Sequence, residues 1–146
     1  MALLSKSCVY GLRATIYVAT RQAQQEYVPI REIARELKLS FHFLTKILQT
    51  LTEDGLLRSY RGPSGGVALA RSAGKITLLE VVNSLEGKDL FRRCVLGLAR
   101  CGDRRPCPLH ETWARHREDL QRHLGETKLD DLAALTVAGT IRLGDE

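Results

Sequence analysis

Apolar side chains recur along the first half of the chain at helical spacing. Val9, Leu12, Ile16 and Ala19 fall on one stripe and predict an amphipathic helix over about residues 7–21. Ile33, Ala34 and Leu37 form a second stripe after Pro29, which predicts a helix opening at that proline, where a missing N–H costs nothing. After the short turn "LKLS", Leu44, Ile47, Leu48 and Leu51 stand at i, i+3, i+4 and i+7 and define the buried face of a third helix. Ser40 precedes that helix as its N-cap, with a hydroxyl oxygen able to accept from an unpaired amide of the first turn. His42, Lys46 and Gln49 fall on the opposite face, with Thr45 at its edge.

The period then changes. "LLRSYRGPSGGVALAR" reads as two alternating strands joined by a Gly-Pro-Ser-Gly-Gly tip. Gly65 and its neighbours allow the backbone a tight hairpin needs, and Pro63 stiffens the approach. "ITLLEVVNSLEG" returns to a helix. Thr77 and Glu80 make a capping box, Ile76 and Val81 a hydrophobic staple, and Gly87 the stop. Its Leu79, Val82 and Leu85 form the inner face. "PLHETWARHREDLQRHLGET" predicts a long helix with Pro108 at its first position and Cys107 at its N-cap. There Leu109, Trp113, His116, Leu120 and His123 repeat with gaps of four, three, four and three, a narrow stripe like a coiled-coil seam. A seam needs a partner, so a homodimer is expected. "TKLDDLAAL" predicts a short closing helix, and residues after Val137 carry no clear pattern.

The expected fold is mainly α with a small β wing: a winged helix-turn-helix plus a long dimerisation helix. Residues 1–87 would form the DNA-binding domain with its hinge helix, 88–107 a cysteine-rich loop, 108–136 the dimerisation and closing helices, and 137–146 a tail.

Charge adds a partner to this picture. The net charge of +5 lies in the first half: residues 1–71 hold ten Lys/Arg against five Asp/Glu, whereas residues 72–146 hold twelve of each. A polar, basic second helix after a short turn fits the DNA major groove, where Gln49 can pair with an adenine edge and Lys46 with guanine or phosphate. Arg58, Arg61 and Arg71 surround the hairpin, which becomes a wing against the DNA backbone. Two such units about a two-fold axis would match a palindromic operator on double-stranded DNA. The carboxylates and histidines form no convincing acid/base constellation, so an enzyme is not expected. The N-terminal stretch carries Lys6 and Arg13 within its apolar period, and no apolar run is long enough to span a bilayer. A cytoplasmic protein without membrane association is expected.

Three of the four cysteines lie close together: Cys94, Cys101 and Cys107, with six and five residues between them and His110 three positions after the last. In a reducing compartment such a cluster points to metal or redox chemistry and not to disulfides. Arg92, Arg93, Arg100, Arg104 and Arg105 oppose only Asp103 there, a positive field that favours thiolates. Three thiolates and a histidine satisfy zinc, and equally an iron–sulfur cluster. The wide spacing leans to the larger inorganic core. Cys8, distant in sequence, fits a buried apolar position.

These stretches together resemble the Rrf family of winged-helix transcriptional regulators, and its IscR- and NsrR-like iron–sulfur members in particular. The resemblance covers roughly residues 4–136: "LSKSCVYGLRATIYVA", the helix pair, "RGPSGGVALAR", "ITLLEVVNSLEG", the cysteine loop and "LDDLAAL", in the family's order. It implies a dimeric regulator of palindromic operators, usually a repressor, with a 2Fe-2S or 4Fe-4S cluster on Cys94, Cys101 and Cys107. His110 matches the position of a histidine ligand in some members. The best-known members keep five residues between both cysteine pairs, unlike the first gap here. Val9 stands where some relatives carry an acidic ligand, and the adjacent Cys8 is an alternative to His110 as fourth ligand. The expected mechanism couples cluster state to operator affinity in response to redox, nitric oxide or iron status; a zinc-bound or thiol switch on the same residues is the alternative.

Overall fold

The computed structural model describes residues 3–102 and 104–145; Asp103, the lone carboxylate among the loop arginines, lies outside them. Six α-helices and one two-stranded sheet follow in the order α1 (Lys6–Arg21), α2 (Ile30–Leu37), α3 (Phe41–Glu53), β1 (Leu57–Tyr60), β2 (Gly66–Leu69), α4 (Leu78–Glu86), α5 (His110–Glu126) and α6 (Leu129–Val137). Short 3₁₀ turns at Ala73–Lys75 and Lys88–Arg92 flank α4. The architecture is the expected winged helix-turn-helix. No helix among the described residues is long and apolar enough to cross a membrane.

Local chemistry explains most element boundaries. Ser5 caps α1 by accepting from the Cys8 amide at 3.1 Å. Pro29 sits one position earlier than expected, as the N-cap of α2 with ψ of 137°, so its fixed φ sets the entry and the helix begins at Ile30. At the other end Lys38 takes a left-handed conformation, φ 54°, and its amide turns back to the carbonyls of Ala34 and Arg35. That sharp exit leads directly to Ser40, whose Oγ accepts from the Phe43 amide at 3.4 Å and starts α3. The stripe Leu44, Ile47, Leu48 and Leu51 is buried against Ile33, Val18 and Val81 in the main core.

The wing pairs Leu57 with Leu69 through Tyr60 with Gly66. Val28 adds a third, one-residue edge: its N–H donates to Val67 O at 2.8 Å and its carbonyl accepts from Val67 N at 2.9 Å. Gly66 is required there, because a Cβ would fall 2.1 Å from Val28 O.

The expected capping box opens α4, with Thr77 Oγ1 accepting from the Glu80 amide at 3.3 Å and Glu80 Oε2 accepting from the Thr77 amide at 2.9 Å. Ile76 and Val81 are both buried, and Gly87 ends the helix at φ 78°. Beneath α4 lies a second apolar cluster of Cys8, Val82, Leu90, Phe91 and Leu124, with Leu79, Leu85 and Leu120 packed on it. The closing helix α6 is tied to the front of α4 by Leu78 N→Thr127 O and Leu129 N→Ile76 O, both 3.0 Å, and it lies along α1. Leu143, beyond α6, also joins the main core and accepts a hydrogen bond from Arg13 through its carbonyl.

Two expectations for α5 need correction. The helix begins at His110, not at Pro108; Cys107 to Leu109 form a turn in which Cys107 O accepts from the His110 amide at 3.1 Å, and Leu109 is the N-cap. Cys107 therefore stands outside the helix and not at its N-cap. The stripe of Leu109, Trp113, His116, Leu120 and His123 is also divided. Trp113 and Leu120 turn toward the body of their own chain, where the buried Leu124 extends their face, while Leu109, His116 and His123 are exposed.

Candidate nucleic-acid interface and cysteine site

The outward face of α3 carries Ser40, His42, Lys46 and Gln49, all exposed. Thr45 is half-buried at its edge and donates its hydroxyl to Phe41 O at 2.8 Å, which leaves the helix face to the longer side chains. On the wing Arg58 and Arg61 are exposed; the Arg58 guanidinium lies 5.5 Å from the Tyr27 ring centroid and 4.0 Å from Glu26. Gly65 shapes the tip: its amide donates to Gly62 O at 2.9 Å, and a Cβ would fall 2.3 Å from Tyr60 O. Arg71 differs from the other wing arginines. It pairs with Glu80 and donates to Lys75 O at 3.1 Å, so it fastens the wing to α4.

The second site lies where residues 93–109 meet the start of α5. The Sγ atoms of Cys94 and Cys107 are 3.6 Å apart, and Cys101 Sγ is 3.3 Å from His110 Nδ1. Four sequence-predicted ligands thus come together as two pairs. No group of three or more His, Cys, Asp or Glu side chains close enough to hold a metal ion occurs among the described residues. Cys94 is buried, and backbone amides of Leu98 and Leu96, with the Cys107 thiol and the Gly97 amide, lower its pKa against the opposing effect of burial. Arg92, Arg93, Arg100, Arg104 and Arg105 are exposed around the pairs.

Two side chains hold this segment to α5: Trp113, expected in the seam, and Arg117, which the pattern did not single out. Trp113 Nε1 donates to Arg93 O at 2.8 Å. Arg117 Nη1 donates to the same carbonyl at 3.1 Å and lies 3.3 Å from Cys101 Sγ. Their signal was present: His110, Trp113 and Arg117 are spaced by three and four, so they share one face of α5. Cys8 lies elsewhere, fully buried in the second apolar cluster, where burial and then the nearby Glu86 carboxylate push its thiol up to about 12.

A helix pair with a polar outer face and a following basic wing defines a winged helix-turn-helix transcriptional regulator. The model of the Rrf2 family, an iron-dependent transcriptional regulator, matches residues 4–135, and the chain belongs to that family. The regulator IscR of Xenorhabdus nematophila is 34% identical over 134 residues, covering 90% of this chain and 79% of the relative. CymR, the global cysteine regulator of B. subtilis, superposes with a TM-score of 0.77 at 28% identity, covering 93% of this chain and 99% of CymR. IscR of T. potens shares the fold at a TM-score of 0.73 and 23% identity, covering 95% and 92% of the two chains. Members of this family are transcriptional regulators and not enzymes.

Proposed function

We propose that the protein is a homodimeric repressor of palindromic operators whose DNA affinity depends on an iron–sulfur cluster held by Cys94, Cys101, Cys107 and His110. The observation that carries this reading is the approach of Cys94 to Cys107 and of Cys101 to His110 at the base of α5. The donor chemistry fits: three thiols, one of them with a lowered pKa, and one imidazole, in a positive field that stabilises an anionic group. The deep burial of Cys8 favours His110 as the fourth ligand. The family's description as an iron-dependent transcriptional regulator supports iron chemistry at this site.

When bound, such a cluster supplies a centre that oxidants and nitric oxide can alter. The chain's own residues provide the coupling. Arg117 and Trp113 tie Arg93 O to α5, so the stretch that carries Cys94 is anchored to the helix that carries His110. Helix α5 packs on α4, and α4 packs on α1 and α3, so a shift of α5 reaches the recognition helix through contiguous packing. The exposed Leu109, His116 and His123 on the outer face of α5 support a two-fold contact there, which would set the distance between two α3 helices. Lys46, Gln49, His42, Thr45 and Ser40 would meet the major groove, and Arg58, Arg61 and the Gly65 tip the backbone beside it.

A DNA-binding comparison tests this. Protein purified without oxygen, and the same protein stripped by an iron chelator, should differ about tenfold or more in affinity for a duplex selected from a random library. Equal affinities would contradict the coupling. A second reading rests on the 3.6 Å approach of Cys94 to Cys107, which suits a thiol switch on the same scaffold. It predicts oxidant-dependent affinity in protein that holds no iron.

A further inference from the structure

The recognition face of α3 is polar except at its first residue. Phe41 opens the helix, yet the residue is 38% exposed, while Leu44 and Leu48 on the continuing apolar stripe are buried. It stands four residues before Thr45, so both lie on the same edge of the recognition face. Two neighbours hold the ring there. The Arg31 guanidinium, from the first turn of α2, lies 5.7 Å from its centroid, and the His42 ring meets it edge-on at 5.7 Å. Arg31 is itself exposed and has no carboxylate partner among the described residues.

An exposed aromatic ring at the N-terminal end of a recognition helix calls for an apolar partner. That end of the helix contacts base edges, and the apolar group the major groove offers is the C5-methyl of thymine. Resting on the DNA-binding reading above, we infer that Phe41 is a specificity-determining residue that contacts a thymine methyl in each half-site. Arg31, stacked on the outer face of the ring, fixes its position and reaches the adjacent phosphate. Lys46 and Gln49 read hydrogen-bonding edges; Phe41 reads a methyl.

The test replaces thymines by deoxyuridine, which removes the methyl and keeps every hydrogen-bonding group. Full-length protein is first used to select a duplex from a random library, and each thymine of the consensus is then exchanged in turn. Wild type should lose about fourfold in affinity per half-site at one thymine position, the effect of withdrawing one buried methyl. Phe41→Ala should bind that duplex more weakly and show no difference between thymine and deoxyuridine there. Phe41→Leu should keep part of the difference, which a purely structural role for the ring would not produce. A wild-type protein indifferent to every exchange, or a Phe41→Ala protein with the wild-type profile, would overturn the inference and leave DNA binding standing. Selection that yields no consensus would overturn the DNA-binding reading, and this assignment with it.

Discussion

The recognition module and the cysteine segment are built by different physics. Residues 5–87 have a capped helix at nearly every turn, a three-way backbone pairing at the wing and a core in which Ile33, Leu44, Leu48 and Leu51 are almost fully buried. Residues 93–109 have no helix or strand among their described positions, and Val95, Leu96, Leu98 and Leu109 are exposed. Among the described residues their fixed points include a turn at Cys94 to Gly97, a turn at Cys107 to His110, two thiol contacts, and the hydrogen bonds from Trp113 and Arg117 to Arg93 O. One region is organised around a tightly packed core. On the proposed reading, the other would take its shape from whatever its thiols hold, as a sensor requires.

That contrast can be broken by substitution. Leu48→Ala should lower unfolding free energy by about 3 kcal/mol through the cavity left in the core. Cys101→Ala should change it by less than about 1 kcal/mol, as expected for a half-exposed loop residue. Urea denaturation of the two variants checks both, and equal losses would erase the distinction. Lys46→Ala should weaken duplex binding about tenfold and reduce the salt dependence by roughly one counterion, without a shift in thermal midpoint. Titrations at several salt concentrations read this directly, and full retention of binding would remove Lys46 from the interface. Thr77→Ala should cost about 1 kcal/mol, because it deletes the cap at the joint between wing and α4; the thermal midpoint reports it.

A last expected effect, confined to alkaline pH, is a pH dependence at Cys8. Its thiol is held near 12 in the folded chain against an ordinary 9.0, so folding favours the protonated form. The stability this provides is complete below pH 9 and declines as pH rises from there toward 12. Cys8→Ala should flatten that alkaline decline. An unchanged slope would assign it to other groups.

Much of the fold was legible because the signals were local and mutually consistent. The α3 stripe, the Ser40 cap, the Thr77–Glu80 box and the glycine-rich hairpin each specify their element within a few residues. Features that depend on distant segments were not legible. The Val28–Val67 pairing joins residues thirty-nine positions apart, and the return of Leu143 to the core depends on Arg13 at the other end of the chain. The α5 boundary failed for another reason: Pro108 suited a first helical position, but a turn through Cys107 and Leu109 intervenes. The heptad-like spacing of α5 likewise could not distinguish a seam facing a partner from a face shared with α4. At the cysteine site the four side chains that approach one another were visible in the sequence. Their pairing was not, and the shared α5 face of His110, Trp113 and Arg117 was visible only as a spacing.

The central claim is that the two donor pairs close on one iron–sulfur centre. The most direct measurement is the visible absorption spectrum of protein purified without oxygen, with iron, sulfide and zinc assayed on the same sample. Charge-transfer bands with matching iron and sulfide, absent from Cys101→Ala, are the predicted result. A colourless protein that takes up no iron and sulfide on reconstitution, or that holds stoichiometric zinc, would contradict it.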